Sequence, residues 1–365
     1  MARKPRSTFR RLFLATSILL VLLGIILPGA GMLYERSAVQ EAASTYPAPG
    51  RMVDAGGFDL HLHCEGEGEP TIILDHISGG SSADWAHVRS GLADVTRVCA
   101  YDRAGHGWSE MSSGPRSASV MAAELDSLLS NADIAGPYIL AGHGLGGSVQ
   151  RAFAARNTEA VEGMVLIDTF HEDALHALPA AFWDFAEQER RRIAQMRMAG
   201  RIGLLRVMAE YQPQQFDRLL DGPLQNLPEA IQGAYRAQKA GSRVWTAHLE
   251  ELASLDATFA DLRDGTPLPS IPLLVLLTGD SVATHSPYVY PDGFPMMETA
   301  RAWQELHLKL AEQSPKGVFI LVRNTGHHIP AQHPDTVVSM IEKVYQELQE
   351  APKVQGGEPS LADEE

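Results

Sequence analysis

Eight short β-type runs punctuate the chain: "RMVDAGG" from Arg51, "FDLHLHC" from Phe58, "TIILD" from Thr71, "RVCAYD" from Arg97, "YILAG" from Tyr138, "MVLID" from Met164, "PLLVLLTG" from Pro272 and "GVFILV" from Gly317. From Thr71 onward the runs are continuously apolar rather than alternating. That is the pattern of parallel strands buried on both faces. Helix-like segments such as "SVMAAELDSLLSNA" separate them, and alternating strand and helix predicts a doubly wound α/β sheet. One interval breaks the rhythm. Between Asp168 and Ile271 there is no strand-like run, only helical stretches such as "FWDFAEQERRRIAQMRMAG" and "GAYRAQKAGSRVWTAHLEELASL". A helical cap over about 169–268, inserted after strand 6, is expected, and long insertions of this kind commonly form lids.

Ahead of the strands, Leu12–Tyr34 contains no charged residue. Its length meets the requirement for crossing a bilayer, about 20 residues. Arg3, Lys4, Arg6, Arg10 and Arg11 precede it, leaving 25 basic against 45 acidic residues in the remainder. Positive charge in front keeps an N-terminus cytoplasmic. The expected layout is a basic cytoplasmic start at 1–11, a transmembrane anchor at 12–34 and a linker at 35–50. An α/β domain at 51–349 and a disordered acidic tail at 350–365 complete it. This makes a single-pass protein of the cell membrane with an extracytoplasmic domain. Secretion after cleavage of a signal peptide is the alternative, although "LPGAGMLY" offers no clean A-x-A site. The formal net charge of −15 argues against nucleic acid as a partner.

The stretch "ILAGHGLGG" (Ile139–Gly147) turns from strand to helix on glycines. It has the outline of G-x-S-x-G, the elbow that displays a nucleophilic serine, but Gly144 stands where the serine would. "YDRAGHGWS" (Tyr101–Ser109) resembles the D-x-R-G-x-G-x-S turn of α/β-hydrolases. "RNTGHHIPAQHPDTVV" (Arg323–Val338) resembles the loop carrying their catalytic histidine. The opening "PAPGRMVDAGGFDLHLHCEGEGEPTIILD" is similar to that of bacterial, N-terminally anchored members. The chain thus resembles the α/β-hydrolase superfamily over roughly residues 47–349, in its anchored esterase or lipase-like group.

The resemblance implies a mostly parallel eight-stranded sheet and a nucleophile–acid–histidine chain order. The histidine is then His327, with His328 its neighbour. The acid is Asp168, at the end of "MVLID", or Asp280, after the next strand, though Asp280 directly follows Gly279 rather than fitting G-x-x-D. Leu145 and Ser78 take the places of the oxyanion-binding backbone groups. Ser78 belongs to "HIS" (His76–Ser78), where relatives carry a glycine, and β-branched Ile77 disfavours positive φ. The strands bearing Cys64 and Cys99 are neighbours in this fold, so the pair can meet as a disulfide.

Glycine reaches the strained elbow conformation at little cost but offers no oxygen, sulfur or carboxylate for acyl transfer. Three readings follow. The chain is a pseudohydrolase retained for binding, an enzyme using His327 and its acid as a general base, or an inactivated variant of an ordinary serine esterase. No cofactor motif is present. "HEDALH" (His171–His176) spaces its histidines five apart and is not H-E-x-x-H, so no metal is expected. A cap rich in Leu, Ala, Phe and Trp points to a small hydrophobic acyl or aromatic ligand. His61 and His63 are expected on a solvent face of their strand, and Arg190–Arg192 on a solvated helix face.

Overall fold

The computed structural model describes residues 6–220, 224–278, 290–323 and 325–350. Eight strands form one sheet: β1 (Arg51–Asp54), β2 (Asp59–Glu65), β3 (Thr71–Asp75), β4 (Val98–Tyr101), β5 (Tyr138–His143), β6 (Val161–Ile167), β7 (Pro272–Thr278) and β8 (Lys316–Val322). Their spatial order is β1-β2-β4-β3-β5-β6-β7-β8. The β1–β2 and β2–β4 pairs are antiparallel, and every pair from β4 to β8 is parallel. This is the α/β sheet that the patterning predicts, in the α/β-hydrolase arrangement that the resemblance implies.

The continuous apolar runs have a direct explanation. Successive strand residues point to opposite faces, and here both faces are covered. Ile73, Leu140, Met164, Leu166 and Val275 pack into one core, with the helices Ala118–Asn131 and Leu145–Arg156. Ile72, Leu74, Ile139, Val165 and Leu276 pack into another, against the helix Pro334–Glu350. On the antiparallel flank, Cys64 lies directly opposite Cys99, and the two form a disulfide with Cα atoms 4.0 Å apart. His61 departs from expectation. Its side chain is fully buried, with Nδ1 2.8 Å from Asp102 Oδ2, because the turn after β4 folds over that face of β2.

The interval between β6 and β7 is helical from Ala174 to Asp264 among the described residues. Its own core gathers Met196, Leu205, Phe216, Tyr235 and Trp245. These helices lie over the C-terminal ends of the strands and cover a cavity there.

The first helix runs from Arg6 to Thr45, so residues 35–45 are helix rather than linker. The segment "ERSAVQEAAST" has no Gly or Pro and is rich in helix formers. Its last turns dock on the cap. Arg206 forms a bidentate pair with Glu35, through contacts of 2.9 and 3.2 Å, and Tyr34 donates to Glu210. Among the described residues no helix is long and apolar enough to cross a membrane. The side chains at 18–21 and 23, inside the apolar stretch 12–34, lie outside that set, as do Asp280 and the tail beyond 350.

Candidate active site

The turn after β5 sets the site. Gly144 adopts φ +56°, ψ −120°, between the strand and the helix that starts at Leu145. Side chains rarely adopt that conformation. The flanking glycines serve close approach: a Cβ on Gly142 would stand 2.5 Å from Gly147 Cα, so any side chain there would push the helix off the strand. Ser148, one turn on, is fully buried beneath the elbow.

Asp168, immediately after β6, is 1% exposed and has φ +46°. Its Oδ1 accepts the Thr278 N–H at 2.9 Å, and its Oδ2 lies 2.9 Å from Thr278 Oγ1 and 3.0 Å from His327 Nδ1. Burial pushes this carboxyl up, but the hydrogen bond from His327 and the neighbouring histidines bring it below its ordinary value. His327 enters on the loop after β8 and faces the cavity. Its ring centroid is 5.1 Å from that of His143. Burial, then the proximity of His327, holds His143 well below the ordinary histidine value, so it is neutral.

His143, Asp168 and His327 place one donor atom each within 4.8 Å of one another, the one such cluster among the described residues. Both oxygens of Asp168 are engaged by Thr278 and His327, so hydrogen bonding already accounts for the arrangement.

One cavity, of about 310 Å³, is lined by Gly144, Leu145, Ser78, Asp168 and His327 together. The structure therefore brings these sequence-selected residues to one place, while Asp280 lies outside the described residues. Ser78 donates its hydroxyl to Glu251 at 2.6 Å. The side chain of Ile77 fills the space above the elbow: a Cβ on Gly144 would stand 2.8 Å from Ile77 Cγ1 and 3.4 Å from its Cδ1. No residue-type pattern predicts that obstruction, because it depends on where the β3 loop points.

Asp84, Lys239, His248 and Trp303 also line the cavity, and no motif in the sequence points to them, since each comes from a different element. Arg192 lines it too, so the Arg190–Arg192 run is not wholly a solvated face. The remaining walls are apolar, from Phe170, Phe182, Phe185, Ile193, Met196, Leu220 and Trp245. The cap is tied to the strand ends by a buried network. Arg103 donates to Asp75, to His76 O at 2.6 Å and to Glu251 at 2.8 Å. Glu251 also meets His106 Nε2 at 3.1 Å.

Comparisons with known proteins agree with this architecture. An uncharacterised Bacillus subtilis protein is 23% identical over 283 residues, covering 78% of this chain and 86% of its own. A vacuolar membrane protein of Saccharomyces cerevisiae is 35% identical over 136 residues, 32% of this chain; the chain spans only 21% of that protein's length. A putative carbamate hydrolase of Azorhizobium caulinodans is 32% identical over 113 residues, 31% of this chain and 42% of its own. Among solved structures, a membrane phospholipase A superposes with a TM-score of 0.59 at 18% identity, covering 94% of this chain and 100% of that one. An esterase from Thermogutta terrifontis gives 0.52 at 22% identity, over 82% and 98%. These likenesses establish the fold. The model of the Alpha/beta hydrolase family matches residues 62–340, which take in strands β3 to β8, the elbow, the cap and the His327 loop, and the chain belongs to that family.

Proposed function

We propose that this chain is a membrane-anchored pseudohydrolase: a protein that keeps the hydrolase site as a binding cavity and forms no acyl-enzyme. The observation that carries the reading is the elbow. Gly144 offers no nucleophilic atom, and a Cβ added there would meet Ile77 Cγ1 at 2.8 Å, so Ile77 would have to move before a side chain could stand at the elbow. The ligand is a small hydrophobic acyl or aromatic molecule, as the Phe, Leu, Met and Trp walls favour. The carbamate hydrolase among the relatives supports a hydrolytic ancestry for the site.

A second reading rests on the His327–Asp168 hydrogen bond of 3.0 Å, which is intact and faces the cavity. Such a pair can act as a general base on a bound substrate or water without a covalent intermediate. One experiment separates the two. The wild-type chain should resist labelling by a fluorophosphonate probe and should not hydrolyse p-nitrophenyl esters. Ester turnover that disappears in His327→Ala would replace the binding reading with the general-base one, and labelling at any serine would overturn both.

The anchor belongs to the same proposal. The uncharged stretch 12–34 follows five basic residues, and the Cys64–Cys99 disulfide suits an oxidising compartment. The domain is then extracytoplasmic. Protease added to intact spheroplasts should degrade it, and full protection would overturn this placement.

A further inference from the structure

The cavity has a polar end that the elbow and the His327–Asp168 pair do not use. We propose that Asp84, Lys239 and His248 form a recognition subsite for a neutral head group that both donates and accepts a hydrogen bond, a hydroxyl being the simplest. The ligand is then an apolar alcohol, not a bare hydrocarbon, a carboxylate or an amine. This rests on the reading of the cavity as a site for an apolar ligand and specifies what that ligand carries.

Asp84 sits in the turn Ser82–Trp85 and is 5% exposed. Its Oδ2 accepts the Ser81 N–H at 3.0 Å, whereas its buried Oδ1 has no hydrogen-bond partner among the described residues. Lys239 comes from the cap helix Glu229–Ala240 and is 7% exposed. It donates to Gly79 O, and its Nζ lies 5.0 Å from the Tyr235 ring centroid and 5.5 Å from that of Trp245. An ammonium has three donors, so Gly79 O alone does not exhaust them. His248, from the cap helix Arg243–Ala253, packs on Gly79 and leaves its buried Nδ1 without a partner among the described residues. All three residues line the cavity.

A buried polar atom without a partner costs about 1–3 kcal/mol. Two such atoms beside a buried ammonium, on residues that line one cavity, form a set that a ligand can complete. The charge balance selects the ligand. Burial pushes Asp84 up to about 6 and pulls Lys239 down to about 8, so both are mainly ionised at neutral pH and their charges offset. His248 is pulled down to about 3 by burial and is neutral. A carboxylate ligand would face Asp84 and an ammonium would face Lys239. A hydroxyl donates to Asp84 Oδ1 and accepts from Lys239 Nζ. The position is also set: a Cβ on Gly80 would stand 2.4 Å from Asp84 Oδ2 and 3.0 Å from Ile77 Cγ2, so the subsite adjoins Ile77.

The test is calorimetric titration of the full chain, held in an amphipathic polymer that leaves no free detergent chain to compete. The probes are 1-octanol, methyl octyl ether and octanoate. The wild type should bind octanol at least tenfold tighter than the ether, which cannot donate, or octanoate. Asp84→Asn, close to isosteric, should weaken octanol about tenfold or more and leave the ether unchanged, whereas Lys239→Met should weaken both, because either oxygen accepts from Nζ. Unchanged ether binding also shows that Asp84→Asn is folded, and a native circular dichroism spectrum shows it for Lys239→Met. Equal binding of octanol and ether by the wild type, equal losses for both in Asp84→Asn, or no loss of either in Lys239→Met overturns the subsite alone. If neither octanol nor ether binds the wild type, the apolar-cavity reading falls with it.

Discussion

Placing a serine at the elbow tests whether Ile77 or the backbone keeps the site silent. Gly144→Ser puts a side chain at φ +56°, a cost of about 1–3 kcal/mol in strain. It also drives the new Cβ to 2.8 Å from Ile77 Cγ1, below ordinary contact, so Ile77 must move; overpacking of this kind costs about 1–3 kcal/mol. The single variant should therefore lose about 2–6 kcal/mol of stability, the sum of the two. Ile77→Gly removes the obstruction and leaves the strain. In guanidinium unfolding, the Gly144→Ser/Ile77→Gly variant should be more stable than the two single effects added together by the overpacking share, about 1–3 kcal/mol. The chemistry should follow the same logic. Fluorophosphonate labelling at the introduced serine should be strong only in the double variant and should vanish when His327→Ala is added. If Gly144→Ser alone labels as fast as the double, or the two stability changes simply add, Ile77 does not occlude the nucleophile position and the proposed function loses its main support.

Three further outcomes are expected. Native protein should titrate no free thiols at Cys64 and Cys99, and replacing both with alanine should cost about 4 kcal/mol for a loop of that length, read by chemical unfolding. Glu251→Gln leaves buried Arg103 short of a counter-charge and should cost about 3–5 kcal/mol. Burial opposes ionisation of Glu251, but Arg103 and His106 hold its carboxyl well below the ordinary range; the stability it contributes is full above its unfolded value and is lost as pH falls through the folded one. Lys239 behaves in the opposite sense. Because burial lowers it from 10.5 to about 8, the unfolded chain binds the extra proton between those values. Wild-type stability relative to Lys239→Met should therefore rise as pH climbs from 8 to 10.5, by up to about 3 kcal/mol. A flat difference across that window would contradict the burial of the ammonium.

The sheet was legible because its strands are buried on both faces, and apolar continuity is a local signal. The elbow was legible because close strand–helix approach demands glycine at fixed spacing. His327 and Asp168 were reachable only through resemblance, since nothing local says that residues 159 positions apart share a hydrogen bond. His61 misled because alternation on β2 does not announce that the turn after β4 will cover one face. The extra helix beyond Tyr34 was a matter of propensity: "ERSAVQEAAST" reads as polar connector by composition and as helix by its helix formers, and contact with Arg206 favours the second. Asp84, Lys239 and His248 had no signal at all. They come from a turn and two cap helices, and their relation exists only once the cap is folded over the sheet.

That cap is held from two sides, and this bears on what the cavity is for. On the sheet side, Glu251 is clasped by Arg103, His106 and Ser78, all within 3.1 Å. On the other, Arg206 grips Glu35 of the first helix through two nitrogens while the third bonds Ala237 O at 2.9 Å. Both ties are largely buried and charge-assisted, the class of bond that is costly to break. An enzyme that turns over a bulky substrate needs its lid to open on each cycle, and lid opening often limits the rate. Ties of this kind raise the cost of opening and preorganise the cavity, which lowers the entropic penalty of holding a ligand. With no nucleophile at Gly144 and Ile77 in the space above it, retention gains more than turnover from such a cap. The arrangement therefore fits the proposed binding role better than it fits the general-base alternative.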